Sequence, residues 1–349
     1  MGCCIPGWWV AAPFLGALAF YAAEAQMVFL FPEALLGNRS PWIRARSLTV
    51  TAGGTQRVMV TVMPIALGML TGWMGRNGAV HAWCRGCLAI VLWHRRVREA
   101  ERIWTTEESS LPRLEIGPVN PLLLRQETIQ HGLSGSFRIL WISDLHWRNH
   151  GDAGVLSGLL SIAMQTKPDA ILLGGDFLDS TKAAGLFGIL VRRLASLAPC
   201  IALPGNHDSG RKLAIVRNMI IDSGGKWLPD PGSVRIQNAL GHTLRVVSPL
   251  NLTKNPDDAP SLLCAHDPAQ FDSISDAHGV CGAMAGHLHG GQWVLWEKSG
   301  RLFPAVWFYP HACRRKRWKG IDLIVSRGAG DTLPLRWNCP REVILLEIS

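Results

Sequence analysis

Apolar residues are distributed in two different ways along this chain. Up to Trp93 they gather in long uncharged runs, whereas from Leu111 onward they form short β-rich stretches divided by turns and helix-length intervals. Gly7 to Ala23 carries no charge, and the run resumes past Glu24 and Gln26 to Phe31. These 25 residues suffice to cross a bilayer core, which takes about 20, though Pro13, Glu24 and Gln26 interrupt them. A cleavable signal peptide is the competing reading, but the basic segment that opens such a peptide is missing. Val58 to Gly75 is a second uncharged run, 18 residues between Arg57 and Arg76, near the lower limit for a span. Cys87 to Trp93 is too short to cross alone and fits the end of a tilted third segment or an interfacial helix. Arg39, Arg44 and Arg46 follow the first run, and Arg95, Arg96 and Arg98 follow the last. The positive-inside rule puts both regions on the cytoplasmic side of a membrane. A buried helical hairpin is the alternative to spans.

Beyond Leu111 the pattern predicts strands over Phe137–Ser143, Ala170–Gly174, Cys200–Leu203, Leu244–Val247, Ser261–Ala265, Leu323–Ser326 and Val343–Ile348. Val155–Thr166 and Lys182–Ala198 read as helices joining the first three. Alternating βαβ units of this length imply a largely parallel central sheet. The expected organisation is a hydrophobic, helical, membrane-associated region over 1–105 and an α/β domain over 111–349.

Composition sharpens this only in places. The net charge of +9 is compatible with nucleic acid, an anionic membrane or a phosphorylated ligand, and does not choose among them. The nine cysteines are scattered and odd in number, which favours free thiols in a reducing compartment over a disulfide framework. Cys84 and Cys87 have CxxC spacing near His81 and His94, but a second pair is missing and Leu88 excludes a haem-attachment motif. The start Met-Gly-Cys-Cys suggests lipidation, yet Pro6 stands where the myristoylation pattern needs Ser or Thr.

Five short motifs stand at strand ends: Asp144-Leu145-His146, Gly174-Gly175-Asp176-Phe177-Leu178-Asp179, Gly205-Asn206-His207-Asp208, His266, and Gly286-His287-Leu288-His289-Gly290-Gly291-Gln292. Residues two apart on an extended chain point to one side, so Asp144 and His146 can converge on one ion. In open α/β sheets ligands bind beyond the carboxyl ends of the strands, where these motifs lie. Carboxylates mixed with imidazoles suit Mn, Zn or Fe better than Mg or Ca. Taken singly, each motif is also a common turn or cap. Their number and order argue for a site.

This order resembles the calcineurin-like metallophosphoesterase superfamily, from about Leu111 to the C-terminus. The tail Ser326-Arg327-Gly328 followed by Arg336 and Cys339-Pro340-Arg341-Glu342 is similar to that of its membrane-associated bacterial branch. The resemblance implies a four-layer α-β-β-α sandwich with the metal site at the sheet edge. It implies one divalent ion on Asp144, His146 and His289, another on Asn206, His266 and His287, and Asp176 bridging them. Manganese is the first expectation, with zinc or iron as alternatives. Two such ions would present hydroxide to phosphorus and neutralise the phosphate oxygens. His207 would reach the phosphate or leaving group, with Asp208 either orienting it or serving only the turn.

Arg314, Arg315, Lys316, Arg317 and Lys319 crowd into six positions. Three readings are open: substrate recognition near the mouth of the site, docking on anionic headgroups, or a solvated basic loop. Trp293, Trp296, Trp307, Phe308 and Trp318 surround this run, and Val247–Asp258 is expected to shape the pocket. With the apolar N-terminus, these features suggest a lipid-linked or nucleotide-diphosphate-linked phosphoester at the cytoplasmic face of a bacterial inner membrane. The resemblance is to enzymes that cleave the pyrophosphate of UDP-2,3-diacylglucosamine in lipid A synthesis, of the chlamydial type. A general phosphodiesterase is the alternative within the class, and a non-catalytic metal-binding scaffold the alternative outside it. A nuclease would need a long basic groove, whereas the cations here concentrate in one segment, so nucleic acid is not expected as a partner.

Overall fold

The computed structural model describes residues 8–38, 40–72, 78–100, 104–108, 113–117, 121–132, 135–148, 153–252, 259–275, 277 and 279–349. The Met-Gly-Cys-Cys start and residues 253–258 of the expected pocket segment lie outside them. The chain divides into two compact units, Met1–Arg102 with Ser109–Pro121, and Ile103–Glu108 with Leu122–Ser349.

The first unit is helical, with α1 (Trp8–Met27), α2 (Leu30–Leu35), α3 (Pro41–Thr51), α4 (Gly54–Thr71) and α5 (Gly78–Ala100). Its core gathers Phe29, Ala45, Leu48 and Val97 in one cluster and Ala25, Val58 and Val62 in another. The polar residues that interrupt the apolar runs serve this packing. Gln26 donates to the Thr55 hydroxyl at 2.5 Å. Glu33 is fully buried, 2.7 Å from His94 Nε2 and from Asn38 Nδ2, with Arg98 at 3.6 Å. Burial opposes its ionisation, but His94, Asn38 and the nearby arginines outweigh that and hold its carboxyl below the ordinary value.

Among the described residues no helix is long and apolar enough to cross a membrane. The expected spans are therefore corrected. The run between Arg57 and Arg76 enters a helix that also holds Gln56 and Arg57, and the third segment continues a helix carrying Arg85, His94, Arg95 and Arg96. Cys84 and Cys87 are exposed free thiols on α5, and no potential metal-holding group among the described residues includes them.

The second unit is built on two sheets. The first runs β1 (Trp104–Thr105), β2 (Leu122–Ile129), β15 (Glu342–Ile348), β3 (Phe137–Ile142), β4 (Ala170–Leu173), β5 (Cys200–Ala202) and β6 (Lys226–Trp227) across its width. Neighbours are parallel except where β15 meets β3. The second runs β13 (Arg315–Trp318), β14 (Ile321–Val325), β10 (Val280–Ala285), β9 (Ser261–Cys264), β8 (Thr243–Val247) and β7 (Ser233–Gln237). Its four inner strands are parallel and its two edge strands antiparallel. All seven strand segments read from the sequence fall in these strands, and α6 (Ala153–Thr166) and α7 (Ala184–Ala195) occupy the two helical intervals.

Alternation within strands assigns the layers. Phe137, Ile139 and Trp141 of β3 join Ile344, Leu346, Val246, Leu262 and Met284 in a core between the sheets. Leu140 and Ile142 face the other way, against Leu159 of α6, Leu190 of α7 and Val216 of α8 (Gly210–Asp222). The outer face of the second sheet packs on Phe271, Ile274, Cys313 and Trp318. Among the described residues this cover is a 3-10 turn, Pro268–Ser273, with no α-helix, so the expected fourth layer is not helical. Proline opens that short connection and also Pro249–Asn251, and neither has the length for a packed α-helix.

Leu190 is completely buried between α7 and the first sheet. Leu190→Ala is expected to cost about 2–5 kcal/mol, measured as a lower urea midpoint at unchanged slope.

Candidate metal centre

Each motif stands at the carboxyl end of a parallel strand. Asp144 follows β3, Asp176 follows β4 and Asn206 follows β5, adjacent in the first sheet; His266 follows β9 and His287 follows β10, adjacent in the second. The ladder continues into the loops. Asp144 N donates to Gly175 O at 2.9 Å, His146 N to Asp176 O at 3.0 Å and Gly286 N to His266 O at 2.9 Å. The two sheet edges thus deliver all five motifs to one place.

Sequence spacing alone did not foresee how they turn inward. Asp144, His146, Asp176, His287 and His289 have φ of 57°, 48°, 56°, 72° and 49°, so Asp144 and His146 converge through left-handed turns and not along an extended strand. Such conformations cost on the order of 1–3 kcal/mol each and persist where the surroundings enforce them. Glycines make the close approaches possible. A Cβ on Gly205 would lie 2.1 Å from Asp176 Oδ1, and one on Gly286 2.4 Å from Asp144 Oδ2.

The donors form overlapping groups. Asp144, His146 and His289 present ligand atoms within 4.8 Å of one another, as do Asp176, His266 and His287, and His146, Asp176 and His207. Asn206 Oδ1 lies 3.1 Å from His266 Nε2. The first group gathers the residues expected on one ion, and the second brings His266 and His287, two of the three expected on the other, to Asp176.

Their surroundings fit cations. Asp144 is fully buried and its Oδ2 has no hydrogen-bond partner, a costly state for a carboxylate unless a cation completes it. His146 Nε2 and His289 Nε2 face each other at 3.1 Å. Nitrogens bonded to one ion at about 2.1 Å each stand roughly 3 Å apart when the angle between them is near a right angle. The far nitrogens are engaged: His146 Nδ1 with Asp179 Oδ1 at 2.8 Å, and His266 Nδ1 with Gly174 O at 2.8 Å. These contacts leave each Nε2 lone pair turned to the centre.

Electrostatics set the imidazoles apart, and an ion at His266 would have to displace its proton. Burial opposes charge on Asp176, yet His266, the His207 amide and His146 hold its carboxyl below the ordinary range. Burial likewise opposes charge on His266, but Asp176 and Asp144 lift it to about 9. His289 goes the other way. Burial, then Arg336 and His146, push it well below the ordinary imidazole value, which keeps it neutral, the form that ligates.

Of the two roles open to Asp208, orienting His207 or serving the turn, its bonds favour the second: Oδ2 accepts from Asp176 N at 2.7 Å and Gly205 N at 3.0 Å, and Oδ1 from Phe177 N at 3.1 Å. It is a buried clamp on the two loops. Asp179 faces the His207 ring instead, 3.6 Å from Nδ1, while also bonding His146 and Arg148. Asp179 was visible as the second aspartate of its motif, but nothing in the linear sequence ties it to either imidazole.

Behind His289 lies the tail. Arg336 Nη2 is 3.2 Å from His289 Nδ1 and donates to Arg327 O and Gly330 O at 2.9 and 2.6 Å. Asp331 accepts from Arg336 and Arg341, and Glu342 from Arg327 at 2.8 Å. Burial opposes charge on Glu342, but Arg125 and Arg327 hold its carboxyl down to about 2.

The basic run is an edge strand, β13, and not a loop. Arg314 pairs with Glu108 and Glu297 at 3.1 and 3.3 Å, Arg315 with Asp322 and Glu127 at 2.9 and 3.1 Å, and Arg317 with Asp322 at 3.2 Å. Lys316 meets His311 at 2.9 Å, and Lys319 donates to Ile274 O. Charge on an exposed edge discourages pairing with a foreign strand. The cleft over the ligands, about 290 Å³, is lined by His146, Asp176, His207, His287 and His289 together with Leu288, Gly291, Gln292, Tyr309 and Thr332. None of the five cations is among them.

An α/β two-sheet fold whose strand ends gather carboxylates, imidazoles and an amide oxygen around one cleft defines a metal-dependent phosphoester hydrolase. Residues 137–291 match the calcineurin-like phosphoesterase family, and the chain carries a calcineurin-like metallophosphoesterase domain. It is 27% identical over 244 residues to phosphodiesterase YaeI of Escherichia coli, covering 64% of this chain and 88% of that protein. It is 25% identical over 241 residues to the uncharacterized metallophosphoesterase YkuE of Bacillus subtilis, 65% of this chain and 83% of that one. Against an uncharacterized metallophosphoesterase of Helicobacter pylori the identity is 25%, over 62% of this chain and 60% of that protein's length. The family implies divalent metal ions, and the donor groups here suit them.

Asp208→Ala leaves three buried amides without an acceptor, each worth about 1–3 kcal/mol. It is expected to lower the urea midpoint and to loosen metal binding; an unchanged midpoint with lost turnover would place Asp208 in the chemistry instead. Glu342 carries a pH signature. Its folded value, about 2, lies below the ordinary 4.5, so its contribution is complete above the latter and lost as pH falls through the former. Unfolding free energy should fall across that window in acid titrations followed by circular dichroism.

Proposed function

We propose that this chain hydrolyses a phosphodiester or pyrophosphate bond in a lipid-linked substrate, with UDP-2,3-diacylglucosamine of lipid A biosynthesis as the specific candidate. The observation that carries the hydrolytic reading is the pair of donor groups, Asp144/His146/His289 and Asp176/His266/His287, meeting beside Asp176 under one cleft. Asp144, His146 and His289 would hold one divalent ion, Asn206, His266 and His287 a second, and Asp176 would lie between them, with manganese the first choice. When bound, such ions lower the pKa of a water that attacks phosphorus and neutralise the phosphate oxygens.

The remaining work falls to the chain's own groups. Asp179 orients His207, whose half-exposed ring reaches into the cleft. His207 then donates a proton to the departing oxygen as the P–O bond breaks. Asp208 fixes the loops that carry Asp176 and Asn206. Two carboxylates among four imidazoles and an amide leave the loaded site net positive, which suits an anionic substrate.

The lipid part of the reading draws on apolar surface. Leu67, Leu70, Val80, Trp83, Leu88 and Val91 of the helical unit are exposed, more than a surface in water alone accounts for. They support contact with a membrane surface. A general phosphodiesterase is the second reading, favoured by the similarity to phosphodiesterase YaeI of Escherichia coli.

Purified full-length protein with Mn²⁺ should release UMP from UDP-2,3-diacylglucosamine. Turnover of aryl phosphodiesters without UMP release would leave only the general reading. Asp176→Asn should lose both turnover and bound metal. His207→Ala should lose about 10²–10⁴-fold in kcat while keeping its metal, as measured by elemental analysis; full activity in either variant would refute the assigned roles.

A further inference from the structure

Tyr309, in the lining of the cleft, belongs to an exposed apolar surface that neither the metal groups nor the fold explains. Gly291, within the metal loop, has no side chain because Ala305 packs against it; a Cβ there would lie 2.4 Å from that of Ala305. Ala305 begins a tight turn in which Phe308 N and Tyr309 N both donate to Ala305 O, at 3.1 and 2.9 Å. The turn therefore sits on the metal loop and sets Tyr309 into the lining of the cleft. The preceding residues point outward: Trp307 is 65% exposed, Phe308 75% and Tyr309 56%.

This rim has a built support. β11 (Trp296–Lys298) and β12 (Arg301–Phe303) form a hairpin on which Trp296 stacks against Phe303 with ring centroids 5.1 Å apart. Trp307 meets both rings edge-on, at 5.8 and 6.0 Å. On the far side of Tyr309, Thr332 lines the cleft and Leu333 is 66% exposed. The Gln292 side chain is not free to read a polar ligand, because it donates to Leu333 O at 2.6 Å and accepts from Leu333 N at 3.0 Å. A rigid, exposed aromatic ledge continuous with a polar reaction centre recognises hydrocarbon.

We propose that Trp307, Phe308 and Tyr309 form a specificity subsite for a hydrocarbon chain esterified to the phosphate that is cleaved. The subsite rests on the phosphodiesterase reading above and adds to it the part of the substrate that is not phosphate.

The test is a series of p-nitrophenyl alkyl phosphodiesters from methyl to octyl, assayed with the Mn²⁺-loaded full chain below micelle-forming concentrations. kcat/KM should climb with chain length, mostly through KM, by up to about fourfold per methylene buried. Phe308→Ala and Tyr309→Ala should flatten that climb. Phe308→Ser, at the most exposed position, serves if Trp307→Ala disturbs the hairpin. Leu240→Ala, at an exposed residue of the turn between β7 and β8, should leave the slope as it is. Hydrolysis of every ester at one kcat/KM overturns the subsite while the hydrolase reading stands. So does a slope that survives both ledge variants. Variants that change only the sedimentation behaviour would make the ledge a contact between copies of this chain. If no diester is cleaved, the general phosphodiesterase reading fails and the subsite falls with it.

Discussion

Everything at the reaction centre depends on burying the Asp176 carboxylate. The residue is 2% exposed; its Oδ1 accepts from His207 N at 2.7 Å, and its Oδ2 lies 3.1 Å from His266 Nε2 and 3.5 Å from His146 Nε2. A charge so placed is tolerable only with partners on every side. Those partners come from strands β3, β5 and β9, so the two sheets must stack with their carboxyl edges level. The inter-sheet core of Trp141, Leu172, Leu262 and Met284 fixes that level. Gly205 satisfies the same constraint from the other side, because any side chain there would collide with the carboxylate.

Much of this was legible in the sequence. The strands with branched and aromatic alternation, such as Phe137–Ile142, announce themselves, and the motif order singles out the residues that gather at the strand ends. What escaped has physical reasons. β10 reads Val-Cys-Gly-Ala-Met-Ala, small residues that pack well between neighbours but carry little strand propensity. The left-handed turns at Asp144 and His146 are conformations that side chains resist, so spacing rules built on extended chain misdescribe them. Asp208 is adjacent to His207 in sequence, yet its carboxylate turns back to the backbone, while Asp179 comes from another loop to reach the ring.

Charge and hydropathy misled in the same manner, since both count residues without their partners. The cations of β13 look free in the sequence because Glu108, Glu127, Glu297 and Asp322 that pair with them are scattered along the chain. The apolar runs of the N-terminal unit look like spans because Gln26, Glu33 and His94 seem to be blemishes. In the fold Gln26 bonds Thr55, and Glu33 bonds His94 and Asn38, and the helices they join pack as a bundle.

The C-terminal tail shows how such partners can sustain a site without entering it. Arg327, Arg336 and Arg341 are almost wholly buried, a placement that costs several kcal/mol per ion unless each is matched. Glu342, Asp331 and Glu108 match them, so the net charge behind His289 stays small. What remains is geometry: Arg336 gathers the carbonyls of Arg327, Gly330 and Cys339, and Cys339 Sγ bonds His289 O at 3.1 Å. The metal loop is thereby held from its back face by segments that lie far along the chain. β15 closes the arrangement, because it enters the middle of the first sheet between β2 and β3 and carries Glu342 in with it. The last strand is thus a condition for the site, since the ligand loop has a fixed back face only once that strand is in place.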